Sequence, residues 1–188
     1  MIDAIFLDRD GVINRERKDY VKSWPEFDYL PGARTALRQL GHLQCPIFIV
    51  TNQSAIGRGL VLAKTVNEIH QHIQHDVQKL GSCITEFFVC PHHPDAGCGC
   101  RKPQPGLILK AAKKYQLHLT KCLMIGDSIT DMMAGQSAGC CPIFVRSGRQ
   151  GATSFQKQEL DFMNSVHLFS DLRLAVDHIL KQIDAGRR

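Results

Sequence analysis

Five short apolar runs set the frame for this chain: "AIFL" ending at Leu7, "PIFIV" at Val50, "EFFV" at Val89, "CLMI" at Ile125 and "PIFV" at Val145. They are mostly β-branched or aromatic. Runs this short, with no polar alternation, fit strands covered on both faces, as in a parallel sheet. Helical patterns lie between them. Val66, Ile69, Ile73, Val77 and Leu80 share one face of a long segment that stops at Gly81. Other helices start after Pro31 and Pro105, on Ser128 with Asp131 three residues on, and on Ser170-Asp171. Strands alternating with helices predict an α/β fold, a doubly wound, Rossmann-like parallel sheet. With 188 residues, 44% of them hydrophobic, the chain reads as a single domain over 1–188. The polar segment 147–164 reads as a surface loop, and the final "AGRR" as frayed.

Composition excludes some classes. The opening "MIDAIFLDRDG" has no basic region followed by a long apolar stretch, and no apolar run is long enough to span a membrane. A cytoplasmic protein is expected, with reduced thiols, so its eight cysteines need another explanation than disulfides. Cys45, Cys83, Cys122, Cys140 and Cys141 sit in or beside apolar segments and read as small buried hydrophobes. The formal net charge of +5 suits an anionic substrate and would also suit nucleic acid. Against nucleic acid stand the lack of a basic stripe with interleaved aromatics and a content of one Trp and three Tyr. The expected partner is a small anionic molecule, with no nucleic acid and no membrane, and a monomer is expected.

Ligands of open α/β sheets bind beyond the carboxyl ends of the strands. The residues after the apolar runs are Asp8-Arg9-Asp10-Gly11, Thr51-Asn52-Gln53-Ser54, a Cys/His stretch leading to Arg101-Lys102, and Gly126-Asp127-Ser128 with Asp131 a turn later. Each alone reads as turn or cap chemistry. Together on one rim they fit phosphoryl transfer. Asp8 and Asp127 can supply oxygen ligands to Mg²⁺. Asp8 can then attack phosphorus in line, while Thr51 and Lys102 hold the equatorial oxygens. Asp10, two residues past the nucleophile, can protonate the leaving oxygen and later take a proton from water.

"DRDGVIN", "VTNQS", "RKP" and "GDSITD" resemble, in order, the four motifs of the haloacid-dehalogenase-like phosphatases, from Ile2 to about Arg146. The resemblance implies Asp8 as nucleophile, Asp10 as general acid/base, and Thr51 and Lys102 as phosphate holders. It implies magnesium on Asp8, the Asp10 carbonyl and Asp127, with Asp131 orienting Lys102 or the metal waters. Ser128 stands where some members have a lysine, which puts an extra phosphate contact there in doubt.

Within that superfamily, "CPHHPDAGCGCRKPQPG" resembles the zinc loop shared by the histidinol-phosphate and heptose-bisphosphate phosphatases, with a spacer from His92 to Cys98 shorter than in some members. "TNQSAIGRG" leans toward the heptose-bisphosphate branch. Zinc is best held by four N/S ligands, here Cys90, His92, Cys98 and Cys100, with His93 spare. A nucleic-acid zinc finger would need a helix bearing the second ligand pair, and none is available. The loop therefore reads as a brace that places Arg101 and Lys102. The spacings leave no room for a separate cap domain, so specificity falls to short loops. Arg58 and Arg101 are candidate cations for a second phosphate, Asn52, Gln53 and Ser54 can meet hydroxyls, and Arg15, Arg17 and Lys18 outnumber Glu16 and Asp19 nearby.

Overall fold

The structure is a computed structural model that describes residues 2–148, 163 and 166–185. Most of segment 147–164 and residues 186–188 of the terminal "AGRR" lie outside the described residues. Six parallel strands form one sheet in the order β3-β2-β1-β4-β5-β6. They are β1 (Ala4–Leu7), β2 (Ile47–Asn52), β3 (Glu86–Cys90), β4 (Cys122–Gly126), β5 (Cys141–Val145) and β6 (His167–Phe169). The first five are the apolar runs. The sixth was not expected: it is three residues long, at the sheet edge, with His167 and Leu168 exposed, so it carries no apolar run to read.

The helices are α1 (Ala33–Leu40), α2 (Ser54–Gly57), α3 (Ala63–Lys79), α4 (Gly106–Tyr115), α5 (Ile129–Ala138) and α6 (Leu172–Ala185). Side chains alternate across β1 and divide the core. Ile5 and Leu7 join Ile47, Ile49, Leu37, Ile69, Ile73 and Val176 on one face. Ala4 and Phe6 join Phe48, Val50, Leu107, Ile108 and Met124 on the other. Both faces of the sheet are therefore dry, which is why its strands lack polar alternation. Each buried Leu, Ile or Phe contributes about 1.5–3 kcal/mol of transfer free energy.

Two sequence signals are realised in detail. Ser128 and Asp131 form a reciprocal capping box at the start of α5. Gly81 takes φ 78° just after α3, a left-handed stop. The cysteines split: Cys122 and Cys140 are buried as expected, whereas Cys83 and Cys141 are exposed, because they sit on the flanks of their runs. Among the described residues no separate cap interrupts the elements. Residues 8–32 instead form an arch between β1 and α1, held to α3 by Trp24 stacked on His72 (4.8 Å) and by Tyr29 donating to Asp76 (3.5 Å).

Candidate active site

The strand order reverses beside β1, whose neighbours β2 and β4 continue in opposite directions. That is where an open α/β sheet leaves a crevice. Asp8 follows β1 and Asp127 follows β4, so the two carboxylates face each other across it. A cavity of about 440 Å³ opens here, lined by Asp8, Asp10, Thr51, Arg58, Arg101, Lys102, Asp127 and Asp131 among others. Gly11 is required by this close approach: it has φ +85°, and a Cβ there would lie 2.4 Å from Asp127 Oδ2.

Lys102 is 4% exposed, and its ammonium has three partners. It lies 2.8 Å from Asp8 Oδ1 and 2.5 Å from Asp131 Oδ1, and donates to the Val50 carbonyl at 2.8 Å. Burial alone would pull its pKa down, but the Asp131 and Asp8 carboxylates hold it up. Asp131 uses its other oxygen on Ser128, accepting from the backbone N–H (3.1 Å) and the hydroxyl (2.6 Å). Ser128 thus positions Asp131.

One acidic pair lacks this balance. Burial pushes Asp8 up to about 7, against the pull of Lys102 and with the push of Asp131. Burial, Asp131 and Asp8 raise Asp127 well above its usual range. Ligand oxygens of Asp8, Asp127 and Asp131 lie within 4.8 Å of one another. Three carboxylates facing one ammonium leave a deficit that a divalent cation makes good, and hard oxygen donors suit magnesium. Asp131 is already bound by Lys102 and Ser128, so Asp8 and Asp127 are the carboxylates that fit as ligands.

Asp10 is held differently. Arg9 Nη2 reaches its two oxygens at 2.9 and 2.8 Å, Asn14 Nδ2 donates at 2.8 Å, and Gln53 Nε2 donates at 2.7 Å. Burial raises its pKa, but Arg9, Asn14 and Gln53 outweigh this and keep it below the usual carboxylate value. Arg9 is 1% exposed, and its Nη1 meets Nε2 of buried His70 on α3 at 3.3 Å. Arg9 and Asn14 did not stand out in the sequence, and His70 reads there, with His72 and His75, as part of a solvated face of the long helix; the structure buries it instead, against a residue 61 positions away.

The "TNQS" segment is placed with more discrimination than its sequence suggested. Thr51 is buried at the end of β2 and accepts from Gln53 Nε2 at 2.9 Å, which leaves its own hydroxyl proton to donate. Gln53 Oε1 accepts from Arg9 at 3.1 Å, so the whole Gln53 amide is engaged within the site. Asn52 spans the backbone of Lys102, its Oδ1 accepting from Lys102 N and its Nδ2 donating to Lys102 O, both at 3.2 Å. Ser54 is buried and starts α2; Arg58 and Arg101 stand on the cavity wall. The arch cations are partly spent: Arg15 pairs with Asp28 (2.7 Å) and Arg17 with Asp19 (3.1 Å).

After β3, Cys90, His92, Cys98 and Cys100 converge. Cys90 Sγ is 3.6 Å from both His92 Nδ1 and Cys98 Sγ, and Cys100 Sγ is 3.3 Å from His92 Nδ1 and 3.5 Å from Cys98 Sγ. A tetrahedron with Zn–S of about 2.3 Å has edges of roughly 3.5–3.8 Å, so this set fits zinc. None of these cysteines is in a disulfide. His93 is outside the cluster, its Nδ1 accepting from Asp95 N at 3.3 Å. The loop seats against Gly57 of α2, where a Cβ would lie 2.3 Å from His93 N.

A family model of HAD-hydrolase-like proteins matches residues 99–173. The chain is 39% identical over 152 residues to the D-glycero-beta-D-manno-heptose-1,7-bisphosphate 7-phosphatase of Bordetella bronchiseptica, covering 81% of this chain and 85% of that one. It is 39% identical over 158 residues to the D-glycero-alpha-D-manno-heptose-1,7-bisphosphate 7-phosphatase of Mycobacterium bovis, covering 80% and 83%. The crystal structure of the D,D-heptose 1,7-bisphosphate phosphatase of B. bronchiseptica, complexed with magnesium and phosphate, superposes with a TM-score of 0.86 at 32% identity, over 96% of this chain and 99% of that one. With its carboxylates across the switch point and these relatives along most of its length, the chain belongs to the HAD-like hydrolases, in the family of the heptose-1,7-bisphosphate 7-phosphatases.

Proposed function

We propose that this chain removes the 7-phosphate of D-glycero-D-manno-heptose 1,7-bisphosphate through an aspartyl-phosphate on Asp8. The observation that carries the reading is the Lys102 ammonium between Asp8 and Asp131, opposite Asp127. An Asp8 oxygen forms the new bond to phosphorus as the bond to the sugar oxygen breaks, and Asp10, ionised while Arg9, Asn14 and Gln53 alone hold it, passes that oxygen a proton it takes up when the substrate phosphate binds. Asp10 then takes a proton from the water that attacks the acyl phosphate, which frees Asp8 and inorganic phosphate. The Thr51 hydroxyl and the Lys102 charge stabilise the equatorial oxygens. Magnesium on Asp8, Asp127 and the Asp10 carbonyl would screen the repulsion between carboxylate and phosphate. Zinc on Cys90, His92, Cys98 and Cys100 would be structural, stiffening the segment that delivers Arg101 and Lys102. Both anomeric types of the sugar occur among the names of the relatives. The test is hydrolysis of each anomer of heptose 1,7-bisphosphate with magnesium, beside histidinol phosphate. Release of the 7-phosphate with the 1-phosphate retained supports the reading, and turnover of histidinol phosphate alone overturns it.

A further inference from the structure

His70 is 5% exposed, sits on α3, and stacks on Phe87 of β3 with ring centroids 4.4 Å apart and 12° between planes. Its Nε2 faces Arg9 Nη1 at 3.3 Å. A guanidinium has donors only, so the direction of this bond is fixed: Nε2 is the acceptor and the ring proton is on Nδ1. Beyond His70, the same guanidinium turns its other nitrogen to both oxygens of Asp10 and to Gln53 Oε1. The chain of contacts runs from helix to strand end: His70 fixes Arg9, and Arg9 fixes Asp10. With its side chain 1% exposed, Arg9 is shielded from bulk solvent and cannot readily exchange a lost partner for it.

We propose that His70 is a positioning residue of the phosphatase reaction: as a neutral acceptor behind Arg9, it sets the orientation of Asp10 for proton transfer. The inference rests on the phosphatase reading above. It explains why an imidazole that does not itself line the cavity is buried beside a cation that does. An apolar side chain in its place would leave one end of Arg9 unpaired and free the guanidinium to turn. Asp10 would then be aimed less well at the leaving oxygen, where general acid catalysis is worth typically ~10²–10⁴-fold.

The test uses the leaving group. A sugar alkoxide needs a proton as it departs, whereas p-nitrophenolate leaves without one. kcat/KM reports the steps up to phosphoryl transfer to Asp8, so it isolates the first proton transfer. In His70→Leu, kcat/KM for heptose 1,7-bisphosphate should fall about 10-fold or more while that for p-nitrophenyl phosphate changes less than about 3-fold. His70→Gln, whose Oε1 can accept from Arg9, should recover most of the loss. Should His70→Leu not fold, His70→Met fills similar space without a nitrogen acceptor and carries the same comparison. Nitrogen NMR of the unaltered protein adds a reading that needs no variant, and should find Nδ1 protonated and Nε2 bare at neutral pH. Equal losses on both substrates, no loss in a folded apolar variant, or an Nε2–H tautomer each overturns the inference. The two failures are distinct: if the phosphatase reading fails, the unaltered protein leaves the bisphosphate intact, whereas failure of the His70 role leaves that activity in place.

Discussion

Lys102 and Asp131 form an ion pair of 2.5 Å in which both side chains are almost wholly buried. The pair links the zinc-type loop to the first turn of α5, two segments far apart in sequence. It holds the ammonium against Asp8, the proposed nucleophile, whose Oδ1 is 2.8 Å from the same nitrogen. Asp131→Asn keeps the shape and removes the charge. The expected outcome is a fall in kcat of about 10-fold or more and a lower Tm, since breaking a buried pair typically costs ~3–5 kcal/mol. Steady-state kinetics and thermal denaturation check it; an unchanged kcat would show that Lys102 needs no second anchor.

Asp8→Asn should abolish turnover and leave no acid-trappable phosphoenzyme, because an amide is a poor nucleophile. Asp10→Asn should slow both chemical steps by ~10²–10⁴-fold while still forming phosphoenzyme slowly. Rapid-quench measurements with radiolabelled phosphate distinguish the two. Near-normal turnover by purified Asp8→Asn is the result that would sink the mechanism.

The Cys90, His92, Cys98 and Cys100 cluster predicts about one zinc per chain. Cys100→Ser should lose metal and lower Tm, and activity should fall even with magnesium in excess, because the loop then no longer fixes Lys102. Elemental analysis of freshly purified, unchelated protein is the check. A metal-free protein with full activity refutes the brace.

His70 makes stability depend on pH. Burial first, then the Arg9 cation, push its pKa from 6.5 down to about 3, with Asp10 opposing. The unfolded chain therefore binds a proton below pH 6.5 that the folded chain refuses until about pH 3. Stability from this group is full above 6.5 and is lost as pH falls through that window. By pH 5 the loss is about 2 kcal/mol. Because Asp8 is shifted the other way, the measurement is the difference between the unaltered protein and His70→Gln in urea melts at pH 7 and pH 5. A gap that does not narrow toward acid contradicts the neutral, buried His70.

How much of this was legible in the sequence follows from what each signal encodes. β1 to β5 are dry on both faces, so their apolar runs could be read directly, whereas β6 is a three-residue edge strand with two exposed side chains. Asp8, Thr51 and Asp127 were readable because each lies at or just past the end of a strand whose position the sheet dictates, and Lys102 because "RKP" follows the Cys/His loop directly. Asn52 and Gln53 read as groups that meet substrate hydroxyls, whereas their amides are engaged by Lys102, Arg9, Asp10 and Thr51. Which way an amide points depends on partners such as Lys102 and Arg9, and no spacing encodes that. The burial of Arg9 depends on His70, a contact that exists only after α3 packs on the sheet.

The proposed choice of substrate rests on the cations that remain unspent. Arg15 and Arg17 are tied to Asp28 and Asp19, so the arch offers the cavity less positive charge than its sequence suggested. Lys18, Arg58 and Arg101 line the cavity as well. Arg101 Nη1 is buried with no hydrogen-bond partner among the described residues. An unpaired buried guanidinium nitrogen is costly, and a bound anion would relieve it. Histidinol phosphate brings an amine to this wall, whereas heptose 1,7-bisphosphate brings a second phosphate. The expected kcat/KM is at least ~100-fold higher for the bisphosphate, a gap of roughly 3 kcal/mol. Arg101→Ala should shrink that gap by raising KM for the bisphosphate, and should change KM for heptose 7-phosphate, which has no second anion, much less. Equal effects on the bisphosphate and the monophosphate would place Arg101 at the cleaved phosphate instead. Equal or better hydrolysis of histidinol phosphate by the unaltered protein would remove the heptose assignment and leave the Asp8 chemistry standing.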